Sequence, residues 1–230
     1  ADAFPVDLSS TISNFYARAG AVILNNGQTG AVTFLGTVSP AGGNLKEPVT
    51  ESTKKAARCF YALNQNRADK KRYPAVDPID SYSKYLDYPE IVQYMSEHIA
   101  PDWVEKVLKA KNIVLRGKEA YEQINILGDD GVPISYHEIY WKSELIDFVI
   151  LQQDAFDKID ASCPIERQKY MLALVLEACD AKHEFDTFEE CSTYYKGLIN
   201  IFKQMNYSEF KSAEFDKYLS QIKNTISYDK

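Results

Sequence analysis

The residues able to do chemistry in this sequence are spread thinly, and the best-known phosphate, nucleophile and metal signatures are missing. There is no G-x-x-x-x-G-K-[ST] phosphate loop, no G-x-S-x-G elbow, no H-E-x-x-H and no C-x-x-C pair. Acidic pairs do occur, Asp77 with Asp80 and Asp129 with Asp130. Acids so placed in loops form turns or stay solvated more often than they form a catalytic dyad, which needs a partner group in a defined cleft. Cys59, Cys163, Cys179 and Cys191 lie far apart, as do His98, His137 and His183. That scatter argues against a zinc site or a disulfide framework and leaves the cysteines as small apolar residues. The most constrained stretch is Tyr73-Pro74-Ala75-Val76-Asp77-Pro78-Ile79-Asp80-Ser81. Its two prolines fix φ and remove backbone donors, so it must be a fixed, extended loop rather than a helix.

The elements that position this loop divide into two patterns. Residues 8–19 read as a helix with Ser9 or Ser10 as N-cap and Gly20 at its stop. The β-branched run 30–38, bounded by Asn25-Asn26-Gly27 and by Ser39-Pro40-Ala41-Gly42-Gly43, reads as a buried strand between turns. A helix is expected over 51–68, ahead of the basic Lys70-Lys71-Arg72. From about residue 89 one helical pattern follows another. Trp103, Val107, Ala110, Val114, Tyr121 and Ile124 share a face up to Gly128, and Ser135-x-x-Glu138 reads as the capping box of the next helix, with Trp141, Leu145, Phe148 and Val149 on one side. Pro164 opens a helix striped by Met171, Leu174, Val175 and Ala178. Asp186-x-x-Glu189 reads as a second capping arrangement before the stripe Phe188, Cys191, Tyr195, Leu198, Phe202 and Met205, and a last helix carries Phe215, Leu219, Ile222 and Ile226. By pattern this second region is a helical bundle. The expected fold is therefore mainly α with an α/β remnant, as two domains over 1–85 and 86–230.

Composition limits the partners. The 33 acidic against 26 basic residues give a net charge of -7, which argues against a nucleic-acid or anionic-membrane surface. No apolar run reaches the roughly 18 residues of a membrane helix. The opening Ala1-Asp2-Ala3-Phe4-Pro5 carries neither an initiator Met nor a secretion signal, so a piece of a longer cytoplasmic chain is expected.

The string at 73–81 resembles the adenine-facing stretch of rotary ATP synthase catalytic subunits. Gly36-Thr37-Val38-Ser39-Pro40-Ala41-Gly42-Gly43, Ser81-Tyr82-Ser83-Lys84-Tyr85, and Leu151-Gln152-Gln153-Asp154-Ala155-Phe156 with Cys163-Pro164 are similar to the A subunit of vacuolar/archaeal-type ATPases rather than to the beta subunit of the mitochondrial/bacterial type. Phe4-Pro5 and Phe15-Tyr16-Ala17-Arg18-Ala19-Gly20 fit the same family, and the resemblance covers essentially the whole chain. Two departures, Tyr73 where Phe is frequent and Asp154 where Asn is frequent, keep an aromatic face and a polar side chain.

The resemblance implies the tail of a P-loop-type α/β nucleotide-binding domain followed by the bundle, within a catalytic subunit that couples ATP hydrolysis or synthesis to H⁺ or Na⁺ transport. It implies adenine contact by Tyr73 and Phe156, with Pro74 stiffening the loop and Gln153 and Ala155 near the ring. Each aromatic stack would contribute about 1–3 kcal/mol. Before the resemblance, Phe156 reads as ordinary core. Ser39, Pro40, Ala41, Gly42 and Gly43 are implied to face the central rotor stalk, the alternative being a plain surface turn. The phosphate loop, the water-orienting glutamate and the Walker-B acid would lie upstream, an arginine finger would come from a B subunit, and the ligand would be ATP or ADP with Mg²⁺. The chain alone would then be inactive and would bind no nucleotide tightly. A hinge is expected near 82–90, and the membrane sector is reached only indirectly, leaving the complex peripheral to the membrane. Two other readings stay open at this point: a fragment of the non-catalytic B subunit, or an independent helical interaction module.

Overall fold

Helix α1 spans Leu8–Tyr16 and starts from Asp7 rather than from Ser9 or Ser10. Ser10 Oγ donates to the Asp7 carbonyl at 2.9 Å, so this serine is spent inside the first turn. Strands β1 (Gly20–Ile23) and β2 (Thr29–Val32) form an antiparallel hairpin, in which Gln28 N–H donates to Asn26 Oδ1 at 3.0 Å. The strand expected over 30–38 stops at Val32 and is not buried: Val32 is 52% and Leu35 91% exposed. β-Branched residues suit a pleated surface, but burial also needs a covering layer, and among the described residues this sheet has two strands. The helix expected over 51–68 is likewise cut. Helix α2 ends at Ala56 (Pro48–Ala56), and β3 (Cys59–Phe60) then pairs antiparallel with β4 (Tyr82–Ser83). Tyr82 donates its hydroxyl to the Lys54 carbonyl at the end of α2, so tertiary pairing claims the groups that a continuing helix would need.

The computed structural model describes residues 4–227. By contact these divide into two compact units, residues up to 60 with 82–85, and 61–81 with 86 onward. Residues 61–81, assigned above to the domain 1–85, thus group by contact with the helices.

The second unit begins with α3 (Gln65–Asp69), capped by Asn64, whose Oδ1 accepts from Asn66 N at 2.8 Å. Then follow α4 (Pro89–His98), α5 (Trp103–Leu127), α6 (Ile134–Ile146), a π-helical turn (Asp147–Leu151), α7 (Ile165–Asp180), α8 (Phe188–Asn206) and α9 (Ala213–Ser227). The predicted stripes face inward: Leu145, Val175, Ala178, Cys191, Tyr195, Leu198, Phe202, Met205 and Ile222 are fully buried. Each large apolar side chain so placed stabilises the unit by about 1.5–3 kcal/mol. Helices α5 and α6 cross closely at Gly117, where an added Cβ would overlap the Ser143 side chain. The capping expectations need two corrections. Ser135 lies inside α6, whose N-cap is Pro133 with no side-chain cap bond. For α8 the cap is Thr187, one position after Asp186: its Oγ1 accepts from Glu190 N at 3.2 Å, and Glu190 Oε2 accepts from Asp186 N at 3.0 Å. Threonine in extended backbone (φ -134°, ψ 159°) reaches the N3 amide, which decides the register.

Candidate functional site

The loop 73–81 is built on Asn64. This residue's Nδ2 donates to Asp77 Oδ2 at 2.7 Å, its backbone N–H donates to the Ala75 carbonyl at 2.9 Å, and Leu63 bridges Val76 in antiparallel fashion. One asparagine therefore ties the loop to the start of α3. Asp77 Oδ1 in turn accepts the Ile79 and Asp80 amides at 2.8 and 3.0 Å. Burial works to raise the Asp77 carboxyl, but the Asp80, Ile79 and Asn64 donors outweigh it and hold the group below the ordinary carboxylate value. The extended loop foreseen from Pro74 and Pro78 is thus anchored by polar contacts as well as by ring constraints. The Tyr73–Pro74 bond is cis.

Two arginines clasp this segment to the bundle. Arg67 donates to both oxygens of Asp147, at 2.7 and 3.0 Å. Arg72 donates to both oxygens of Glu144, at 2.6 and 2.9 Å, and to Asp147 Oδ2 at 2.6 Å. Two cations thus meet two anions, with the Asp147 side chain only 7% exposed. The Glu144 hydrogen bond, working against burial and aided by Asp147, raises the Arg72 pKa above its usual value, so this guanidinium stays charged. Arg72 also lies 4.7 Å from the centre of the Phe148 ring. Asp147 opens the π-turn, and the chain leaves that turn directly into Gln152, Gln153 and Asp154. Gln153 N–H donates to the Tyr73 carbonyl at 2.9 Å, which joins the two predicted site segments through the backbone.

The segment 152–160 is a chain of carboxylate-capped turns. Asp154 Oδ1 accepts from Phe156 N at 2.9 Å, Asp157 Oδ1 from Ile159 N and Asp160 N, and Asp160 Oδ2 from Asp154 N at 2.6 Å. Burial pushes the Asp160 carboxyl up despite that last bond. These turns project Phe156 outward, 97% exposed, so the ordinary-core reading of this residue does not hold. Tyr73 is 54% exposed.

Tyr73, Gln153, Ala155 and Phe156 line one open cleft of about 480 Å³. Pro74, next to Tyr73 in the chain, is not part of the lining. Sequence reading did not assign the rest of the wall: Lys71, Phe148, Gln152, Asp154 and Asp160, and the end of α8 with Lys203, Asn206 and Tyr207. It also missed the clasp, because Arg72 reads only as part of a basic run and Glu144 and Asp147 only as polar positions beside an apolar stripe. The cleft suits a flat, largely apolar group with a few polar edges.

The other predicted residues lie in the first unit. Ala41, Gly42 and Gly43 form a short 3₁₀ turn after Ser39 and Pro40, exposed except for half-buried Pro40. Gly42 and Gly43 have φ of 62° and 72°, values that favour glycine, and a Cβ on either would meet open space.

Two family models match the chain: the ATP synthase alpha/beta family, nucleotide-binding domain, over residues 1–83, and the C-terminal domain of V and A type ATP synthase over residues 92–195. The chain is 39% identical over 225 residues to a V-type ATP synthase alpha chain of Protochlamydia amoebophila, covering 98% of this chain and 37% of the relative. A V-type ATP synthase alpha chain of Chlamydia abortus is 41% identical over 96% of this chain and 37% of its own length. One of Borrelia duttonii is 38% identical over 98% and 37%. The chain thus spans a little over a third of the length of these curated relatives. Among solved structures, the ATP synthase subunit NeqB from Nanoarcheaum equitans shares the fold, with a TM-score of 0.55 over 78% of this chain and 41% of that one, at 19% identity. The chain belongs to the V-type ATP synthase alpha-chain family, and it corresponds to the C-terminal part of that family's members.

Proposed function

We propose that this chain supplies the adenine end of the nucleotide site in the catalytic subunit of a rotary ATPase, which couples ATP hydrolysis or synthesis to H⁺ or Na⁺ transport. The observation that carries the reading is the convergence of two exposed aromatic rings, Tyr73 and Phe156, on one cleft from segments far apart in sequence. Exposed rings are costly on a free surface, and a purine between or against them recovers about 1–3 kcal/mol per stack. Gln153 and Ala155 form the adjacent wall, and Pro74 stiffens the loop that presents Tyr73. The clasp of Arg67 and Arg72 on Glu144 and Asp147 keeps that wall and Tyr73 in register.

The ligand is ATP or ADP with Mg²⁺. The residues that cradle its phosphates belong to parts of the parent chain outside these 230 residues, since no G-x-x-x-x-G-K-[ST] occurs here. The chain's own contribution is to bind and orient the base. Ser39, Pro40, Ala41, Gly42 and Gly43 contact the central rotor stalk, where low side-chain bulk suits a sliding surface. A B subunit completes the ring, the domains 1–85 and 86–230 move about a hinge near 82–90, and the complex sits on the cytoplasmic side, touching the membrane sector only indirectly.

An azido-ATP analogue should label Tyr73 or Phe156 in the full-length subunit within its complex, and ADP should compete. Labelling elsewhere, or none, removes the reading. The purified 230-residue chain should release no phosphate from ATP; turnover would overturn the division of labour.

A further inference from the structure

Helix α6 governs two parts of the cleft wall, and it does so by separate routes. Near its C-terminal end, Glu144 and then Asp147 grip Arg72, whose next residue in the chain is Tyr73. The same helix runs straight into the π-turn 147–151, which places Phe148 in the cleft wall and leads directly to Gln152 and Gln153. A shift of α6 therefore reaches the cleft through ion pairs on one side and through the covalent chain on the other.

The position of α6 depends in turn on α5, against which it packs. Gly117 is buried in the middle of α5. A Cβ there would overlap the Cβ of Ser143, lie 2.6 Å from its Oγ and stand 3.2 Å from the Ile139 carbonyl oxygen. Neither a Cβ nor a backbone carbonyl can be rotated away, so a larger residue would have to push the α6 backbone itself. Ser143 directly precedes Glu144. Close packing passes such a displacement on instead of absorbing it. Glycine inside a helix costs about 1 kcal/mol relative to alanine, and close approach to α6 is what position 117 gains in return.

We propose that Gly117 is a positioning residue for the cleft, acting from α5 through the α6 backbone on both the arginine clasp and the π-turn. It touches no ligand itself. The proposal rests on the cleft being the nucleotide site, and it adds a control point on a helix that lies outside the cleft lining.

The test uses the full-length subunit in its complex and compares wild type, Gly117→Ala and the size swap Gly117→Ala/Ser143→Gly. Gly117→Ala should raise the KM for MgATP about tenfold while kcat changes less than about twofold, because the groups that handle the phosphates lie elsewhere in the parent chain. The size swap clears the overlap and should bring KM back to within about twofold of wild type. A fall in melting temperature or in active complex with KM unchanged would make Gly117 a packing residue only, and a KM that stays high in the size swap would break the link through Ser143. Should Gly117→Ala fail to fold, Ser143→Thr adds one methyl to the same contact, and an unchanged KM there overturns the proposal. If azido-ATP labels the wild-type cleft while the variants keep wild-type KM, this inference alone fails; if the wild-type cleft takes no label, the nucleotide reading fails with it.

Discussion

Helices α1 and α7 are both legible in the sequence, yet they behave differently in the folded chain. Helix α7 buries 8 of its 16 residues, among them Met171, Leu174, Val175 and Ala178, against α5, α6 and the π-turn. Helix α1 buries none. The contrast extends to the units that hold them. In the first, the buried residues among those described are the polar Thr50, Ser52 and Thr53, while Phe15, Ile23 and Leu35 stay exposed. Its aromatic contacts, such as Phe15 stacked on Phe34 at 5.2 Å, are partly open to water. The second unit has a continuous apolar core from Ala110 to Ile222. Apolar periodicity predicts which residues want burial; the number of layers available decides which achieve it.

The largest expected effect lies at the clasp. Asp147→Ala leaves Arg67 and Arg72 short of a buried anion and should destabilise the second unit by about 3–5 kcal/mol in urea titration, the cost of breaking a buried pair from one side. A loss below about 1 kcal/mol would make the clasp an ordinary solvated pairing. Next comes the core. Leu145→Ala should cost about 2–5 kcal/mol, whereas Phe15→Ala, at a site 55% exposed, should cost far less; similar losses would erase the contrast between the units.

A smaller effect is expected from Asp77. Its folded-state pKa lies below the unfolded value, so its contribution is complete well above that value and drains away as pH falls from about 4 toward the folded pKa. Thermal melting of Asp77→Asn should show lower stability at neutral pH and a shallower decline below about pH 4 than wild type. An identical acid limb would count against the amide cage around Asp77. The smallest effect on stability belongs to Phe156→Ala, within about 0.5 kcal/mol because the ring buries almost nothing, although azido-ATP labelling of the cleft should fall sharply. A large stability loss there would mean that the ring serves the fold.

Much of the bundle was readable because its stripes at Met171, Leu174 and Val175 or at Tyr195, Leu198 and Phe202 repeat over several turns. The candidate site was readable in part. Tyr73 stands out through the two prolines beside it, and Phe156 through its surrounding string. Lys203, Asn206 and Tyr207 carry no such mark, since they arrive at the cleft only because α8 packs where it does. The helix expected over 51–68 failed because propensity knows nothing of a strand more than twenty residues later, and the pairing of Cys59–Phe60 with Tyr82–Ser83 is such a non-local choice.

By itself the sequence determined the helix stripes, the rigid loop at 73–81 and the lack of a G-x-x-x-x-G-K-[ST] motif within these 230 residues, because these follow from local sterics, spacing and residue type. Tertiary structure alone decided that Phe156 faces outward, that Arg67 and Arg72 converge on Asp147, and that an asparagine at the end of α8 borders the cleft. Those depend on contacts between residues far apart in the chain, which no local pattern encodes.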